Sequence, residues 1–150
     1  MLRLLRKILG LGDAGRDAGG FGESVAADWL RRERGFEMVA RNWRNPSDRR
    51  EEIDLVCRDG EVLVFVEVKA RAAGALVSGY HAVNRRKKRV LHRAIATYLR
   101  RLREKPHTFR FDIVEVTLAE SPAGAVASPA PRPEVRHFEN VPLFSKHFRP

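Results

Sequence analysis

Residues 52–69 limit the fold of this chain more than any other stretch. Glu52–Cys57 and the valine-rich Glu61–Lys69 both read as β-strands, and Arg58-Asp59-Gly60-Glu61 lies between them. An Asp-Gly pair between two such runs is a strong hairpin signal, with Asp59 and Gly60 as the expected loop. With that loop Arg58 opposes Glu61, Asp54 opposes Phe65 and Glu52 opposes Glu67. Side chains alternate along a strand, so Glu52, Asp54 and Val56 share a face with Leu63, Phe65, Glu67 and Lys69. Asp54 and Glu67 become diagonal neighbours, with Cα atoms roughly 7–8 Å apart. The opposite face of the second strand is Val62, Val64, Val66 and Val68, which is core.

Acids gathered on one sheet face repel each other, and a divalent cation would relieve that repulsion. Mg²⁺ is typically held by one or two carboxylates and keeps waters, leaving room for a phosphate oxygen. Lys69 could then orient or deprotonate an attacking water, or neutralise the charge that develops on phosphorus. The competing interpretation is a solvated sheet face on which Glu67 and Lys69 pair along the strand.

The rest of the chain supplies elements to either side. Residues 10–22 are rich in Gly and Asp and read as a loop. Gly19-Gly-Phe-Gly22 lacks both a preceding strand and a following Gly-Lys-Ser/Thr, so it makes a poor phosphate loop. A helix follows from about Gly22 to Arg34, with Val25, Ala26, Trp29 and Leu30 as its apolar stripe and Gly35 as its stop. Glu23 sits at the rim of that stripe, either favouring the helix dipole or aimed at the sheet. Phe36–Trp43 reads as a strand and Asn45-Pro-Ser-Asp48 as a turn. Residues 72–82 read as a mobile loop.

A long helix is expected over Val83–Arg103, buried through Val83, Leu91, Ala94, Ile95, Tyr98, Leu99 and Leu102. Lys87 falls between Val83 and Leu91 on that stripe, where snorkelling would account for it. Phe109–Val116 and Val135–Phe138 read as strands, and an apolar tail carries Phe144 and Phe148. The order predicts an α/β (α+β) fold, a central mixed sheet flanked by helices. The expected organisation is a basic lead-in over 1–15, a main domain over 16–118, a Pro/Ala-rich disordered insertion over 119–134, and a C-terminal strand and tail over 135–150.

Charge narrows the partners. The 150 residues hold 29 Lys+Arg against 19 Asp+Glu, a net charge of +10. A chain this basic favours a polyanion such as nucleic acid or anionic lipid. No acidic residue occurs from Val68 to Arg103. Arg71, Arg85, Arg86, Lys87, Lys88, Arg89 and Arg93 in that stretch form the candidate nucleic-acid grip, binding phosphates without regard to sequence. Cys57 is the only cysteine, so an intrachain disulfide is excluded, and Cys57 itself reads as a buried apolar residue. The apolar stretch at the start is broken by Arg3, Arg6 and Lys7, and no apolar run spans a bilayer; a cytoplasmic location is expected.

One family carries this combination in this order. Gly19-x-x-Gly22-Glu23-x-x-Ala26, Arg41-Asn42-x-Arg44, Glu52-Ile-Asp54-Leu-Val and Val64-Phe-Val-Glu67-Val-Lys69-x-Arg71 resemble the YraN-like family of small bacterial proteins. The resemblance continues through Val83-x-x-x-Lys87, Ala94-x-x-x-Tyr98-Leu99 and Arg110-Phe-Asp112-Ile-Val114, with a weaker echo at His137-Phe138-x-Asn140. It covers roughly residues 16–118. The family is similar to archaeal Holliday-junction resolvases and to the PD-(D/E)XK, restriction-endonuclease-like fold.

The resemblance implies Asp54 and Glu67 as metal-binding acids, Lys69 as the catalytic lysine, and Glu23 as the helical acid that completes the site. Lys87 matches a recurrent lysine of no derived role. Glu51 stands where the family usually has Gly. The expected activity is Mg²⁺- or Mn²⁺-dependent hydrolysis of DNA phosphodiesters, on branched DNA by the same likeness, with a homodimer as the expected assembly. The alternatives are a non-catalytic DNA- or RNA-binding module of this fold, and a basic protein docking on ribosomal RNA or acidic partners.

Overall fold

The computed structural model describes residues 14–74, 81, 83–118 and 132–149, with side chains from residue 19 onward. The expected loop over 72–82 and the insertion over 119–134 fall mostly outside these residues, as does the lead-in. Chain order is α1 (Ala14–Arg34), β1 (Glu37–Arg44), β2 (Glu52–Asp59), β3 (Val62–Ala72), α2 (Arg85–Arg101), β4 (Thr108–Leu118) and β5 (Glu134–Phe138). The strands form one mixed sheet in the order β1-β2-β3-β4-β5. Its pairs are antiparallel except β3 with β4, which run parallel across the α2 crossover. The fold is of the α+β class, a mixed sheet flanked by helices.

Alternation on the strands explains the layering. Leu63 and Phe65 of β3, with Val56, Phe111 and Ile113, meet Leu91, Ala94, Ile95, Tyr98 and Leu99 of α2. Tyr98 stands edge-on to both Trp43 and Phe65. Val64, Val66 and Val68 face the other way and join Leu55, Cys57, Val114 and Val116 beneath Ala26, Ala27 and Leu30 of α1. Cys57 is fully buried there, and burial pushes its thiol up to about 12. The C-terminal Phe144 and Phe148 stack with His92 and Phe109, which seats the tail on α2 and β4.

Two expectations are corrected. Residues 14–22 are helical, the first turns of α1 rather than a loop. Glycines cost a helix about 1 kcal/mol each, but a helix already nucleated by its buried stripe extends at little further cost. The hairpin loop is Gly60-Glu61, one residue later than expected, because Asp59 still pairs, with Val62. Gly60 adopts φ +58°, as a two-residue hairpin turn with Gly in first position requires. Each residue of β2 therefore meets a partner two places further along β3: Val56 opposes Phe65 and Leu55 opposes Val66. A shift of two preserves the faces of the paired residues, so Val56, Leu63 and Phe65 stay on the side inferred, and Glu67 follows them toward α2 through its contact with Lys87.

The close approach of α1 to the sheet depends on Gly22. A Cβ there would lie 2.9 Å from the Cβ of Ala70. Gly22→Val should push α1 off β3 and lower stability by about 1–3 kcal/mol, read as an earlier urea midpoint at unchanged slope.

Candidate metal and nucleic-acid site

The acids sit where β2 and β3 part. Their paired register runs as far as Leu55 and Val66. Just past its end Asp54 and Glu67 are close enough for their charges to repel. There Asp54 Oδ2 accepts the Val68 amide at 2.8 Å instead of continuing the ladder. Burial drives the Asp54 carboxyl up to about 7, and repulsion from Glu67 adds to this, while the Val68 hydrogen bond and the charge of Lys87 oppose it.

Glu67 is 2% exposed. Its Oε1 lies 2.8 Å from Lys69 Nζ and 3.2 Å from Lys87 Nζ. Its Oε2 is buried without a hydrogen-bond partner. A buried carboxylate oxygen left unpaired is costly and is an opening for a cation.

Glu23 projects from α1 toward the same end of the sheet. Burial raises its pKa, a hydrogen bond with Asn42 opposes the rise, and the charges of Glu52 and Glu67 add to it. Asn42 is in the left-handed region, at φ +49°, between the paired residues Arg41 and Trp43 of β1. That kink turns its amide to Glu23, a role the sequence reading did not assign. Asn is among the few residues that tolerate this conformation, which is the signal available in Arg41-Asn42.

Asp54, Glu67 and Lys69 thus come together, Lys87 joins them from α2, and Glu23 acts on them through its charge. Among the described residues no three His, Cys, Asp or Glu side chains stand in position to hold one metal ion. The fit to a divalent cation rests on Asp54 with the open oxygen of Glu67. Two carboxylates suffice for Mg²⁺, which takes its remaining ligands from water and phosphate.

The expected basic grip divides. Arg85, Arg86 and Arg89 are exposed on the first turns of α2 and Lys88 is half-buried. Lys87 is turned to Glu67. Arg93 pairs with Glu51 Oε1 at 3.0 Å, and Glu51 also accepts Asn45 Nδ2 at 2.7 Å. Glu51 is buried, so the residue that departs from the family pattern ties the β1–β2 turn to α2. Arg71 is half-buried, with a buried Nε lacking a partner.

Arg50, Asn84, Arg86, Lys87, Arg89 and Arg93 line a cleft of about 690 Å³ beside the acids. Asn84 caps α2 by accepting the Lys87 amide at 3.0 Å, and the first turn holds no acidic residue. Cations at a helix N-terminus oppose its dipole, and an anion in the cleft would offset that cost.

Asp54 should make stability depend on pH. Its folded pKa lies above its unfolded value, so the native state binds more protons between about pH 4 and 7, and stability falls across that window as pH rises. Asp54→Asn keeps an acceptor for Val68 and removes the penalty. It should raise stability by about 2 kcal/mol above pH 7, with the gain vanishing near pH 4. Thermal melts at the two pH values check this.

Known proteins place the chain. Residues 22–116 match the family model described as uncharacterised protein family UPF0102. A UPF0102 protein of Anaeromyxobacter dehalogenans is 40% identical over 129 residues, 86% of each chain. One from Beutenbergia cavernae is 44% identical over 108 residues, 72% of this chain and 88% of its own. One from Symbiobacterium thermophilum is 45% identical over 101 residues, 67% of this chain and 82% of its own.

Proposed function

The chain belongs to the uncharacterised protein family UPF0102, and from the side chains it contributes we propose that it is a Mg²⁺- or Mn²⁺-dependent DNA endonuclease. The observation that carries this reading is the buried, unpartnered Oε2 of Glu67, within electrostatic reach of Asp54, with the Lys69 ammonium 2.8 Å from Glu67. Bound there, the cation would polarise a phosphate oxygen and lower the pKa of a water. Asp54 and Glu67 would hold it. The arginines of the cleft bind the phosphates of the strand and fix its path past Lys69. Lys69 orients the water whose oxygen forms the new P–O bond and stabilises the negative charge on the phosphoryl oxygens while the bond to the leaving sugar oxygen breaks, the water's proton passing to solvent and the sugar oxygen taking one from solvent. Branched DNA is the proposed substrate by the family's likeness to resolvases, and a dimer the proposed assembly.

A second reading has one observation in its favour. Glu67 already faces two ammonium groups, so its charge is balanced without a cation. A non-catalytic DNA- or RNA-binding module could retain that arrangement. Branched, single-stranded and duplex DNA incubated with Mg²⁺ or Mn²⁺ decide between the two. The nuclease reading expects cleavage of at least one substrate, abolished by a chelator. Salt-sensitive binding with no cleavage of any of them would overturn it. Among the described residues no helix is long and apolar enough to cross a membrane.

A further inference from the structure

Lys87 belongs at once to the acidic site and to the basic cleft. Its Nζ lies 3.2 Å from Glu67 Oε1, and the residue also forms part of the cleft wall beside Arg86 and Arg89. Its backbone is fixed, because its amide is held by the Asn84 cap of α2. Its side chain is less confined, 35% exposed against 24% for Lys69, and lies further from the shared oxygen, at 3.2 Å against 2.8 Å. A dication held by Glu67 and Asp54 would repel both ammonium groups. The one more loosely held is Lys87, and it alone of the two lines the cleft.

On the reading that the site takes a divalent cation, we propose that Lys87 is a positioning residue that exchanges partners. It neutralises Glu67 before the cation binds, and turns to a backbone phosphate of the nucleic acid in the cleft once the cation has taken Glu67. The exchange makes cation and nucleic acid bind cooperatively. Each strengthens the other by the same factor, since the coupling of two binding equilibria is reciprocal. It also guards the buried carboxylate of the cation-free protein against lying uncompensated.

The test is Lys87→Met, which keeps the length of the stem, with Lys87→Arg beside it. Mn²⁺ uptake without DNA, followed by titration calorimetry, should tighten about fivefold in Lys87→Met because the competing ammonium is gone. Binding of a labelled 20-mer DNA duplex should weaken about tenfold in Ca²⁺, an oxygen-seeking cation used here as the probe. The dependence of log K on log salt should become shallower by about one phosphate contact. Without a divalent cation the variant should bind DNA as the wild type does. Lys87→Arg should recover the DNA affinity in Ca²⁺.

Opposite shifts for the two ligands are not what a merely structural lysine gives. Mn²⁺ binding in Lys87→Met that is unchanged or weaker than in the wild type overturns the exchange, as does an equal loss of DNA affinity with and without Ca²⁺. A wild-type chain that takes up no Mn²⁺ overturns the nuclease reading along with it. A wild-type chain that binds Mn²⁺ while Lys87→Met behaves identically overturns the exchange alone.

Discussion

Asp54→Ala and Glu67→Ala should each reduce cation-dependent DNA cleavage by at least about a thousandfold while leaving DNA binding, measured without a divalent cation, within about threefold of the wild type. The size follows from what a bound cation supplies: several kcal/mol of charge stabilisation at phosphorus, at tenfold per 1.4 kcal/mol. The split follows from geometry. The arginines line a cleft at the start of α2, with Arg50 beside them, while the two acids sit on β2 and β3. Losing either acid removes negative charge, which on its own strengthens binding of a polyanion.

The two variants should differ in stability. Asp54→Ala removes a carboxylate that burial already disfavours in its charged form. Glu67→Ala leaves Lys69 and Lys87 without their shared partner, so it should destabilise the fold where Asp54→Ala costs less. Cleavage rates and DNA anisotropy on the same preparations check both halves. Cleavage at wild-type rates by either variant would remove the assignment of the site.

The faces of the hairpin were legible in sequence because strand periodicity is two and the valines of β3 mark its buried side without ambiguity. The register was not, since Arg58-Asp59-Gly60-Glu61 offers two adjacent two-residue loops. Which one closes depends on whether Asp59 can still pair, and it does, with Val62. Lys87 could be placed on the buried stripe of its helix, but its partner Glu67 is twenty residues back on another element, and local periodicity carries no such information. Glu51 looked like a departure from the family's Gly. Its burial against Asn45 and Arg93 is a tertiary fact with no local signature. The start of α1 was missed because glycines such as Gly19 and Gly20, which meet nothing within 4 Å, argue against a helix, and local propensity does not register the extension of a helix already nucleated further along.

Asp112 shows the same limit and leads to the largest stability effect expected in this protein. It stood in the sequence as one residue of Arg110-Phe-Asp112-Ile-Val114, with no role of its own. In the structure it is fully buried on the α1 side of β4 and accepts from three directions. Arg110 Nε lies 3.0 and 3.1 Å from its two oxygens, His137 Nε2 lies 2.9 Å from Oδ2, and the Asn140 amide donates to Oδ1 at 2.8 Å. His137 is held in turn by Arg34 at Nδ1 and edge-on by Trp29 and Phe36. Arg34 also pairs with Glu139. Burial pushes the Asp112 pKa up, but the hydrogen bonds from His137, Arg110 and Asn140 outweigh it and hold the group below the usual range. One carboxylate therefore fastens β5 and the start of the tail to the central sheet.

Asp112→Ala should cost about 3–5 kcal/mol, since it leaves the His137 imidazole and the Asn140 amide without their acceptor and the Arg110 guanidinium with Asp59 alone. Asp112→Asn, which can accept but also brings two unwanted donors, should cost less. Because the folded pKa is lowered, the stabilisation is present above the unfolded pKa near 4 and is lost as pH falls through that value and below it. Urea midpoints at pH 7 and pH 3 should therefore separate wild type from Asp112→Ala more widely at the first than at the second. An equal separation at both would mean that the lost contacts were those of packing and not of charge.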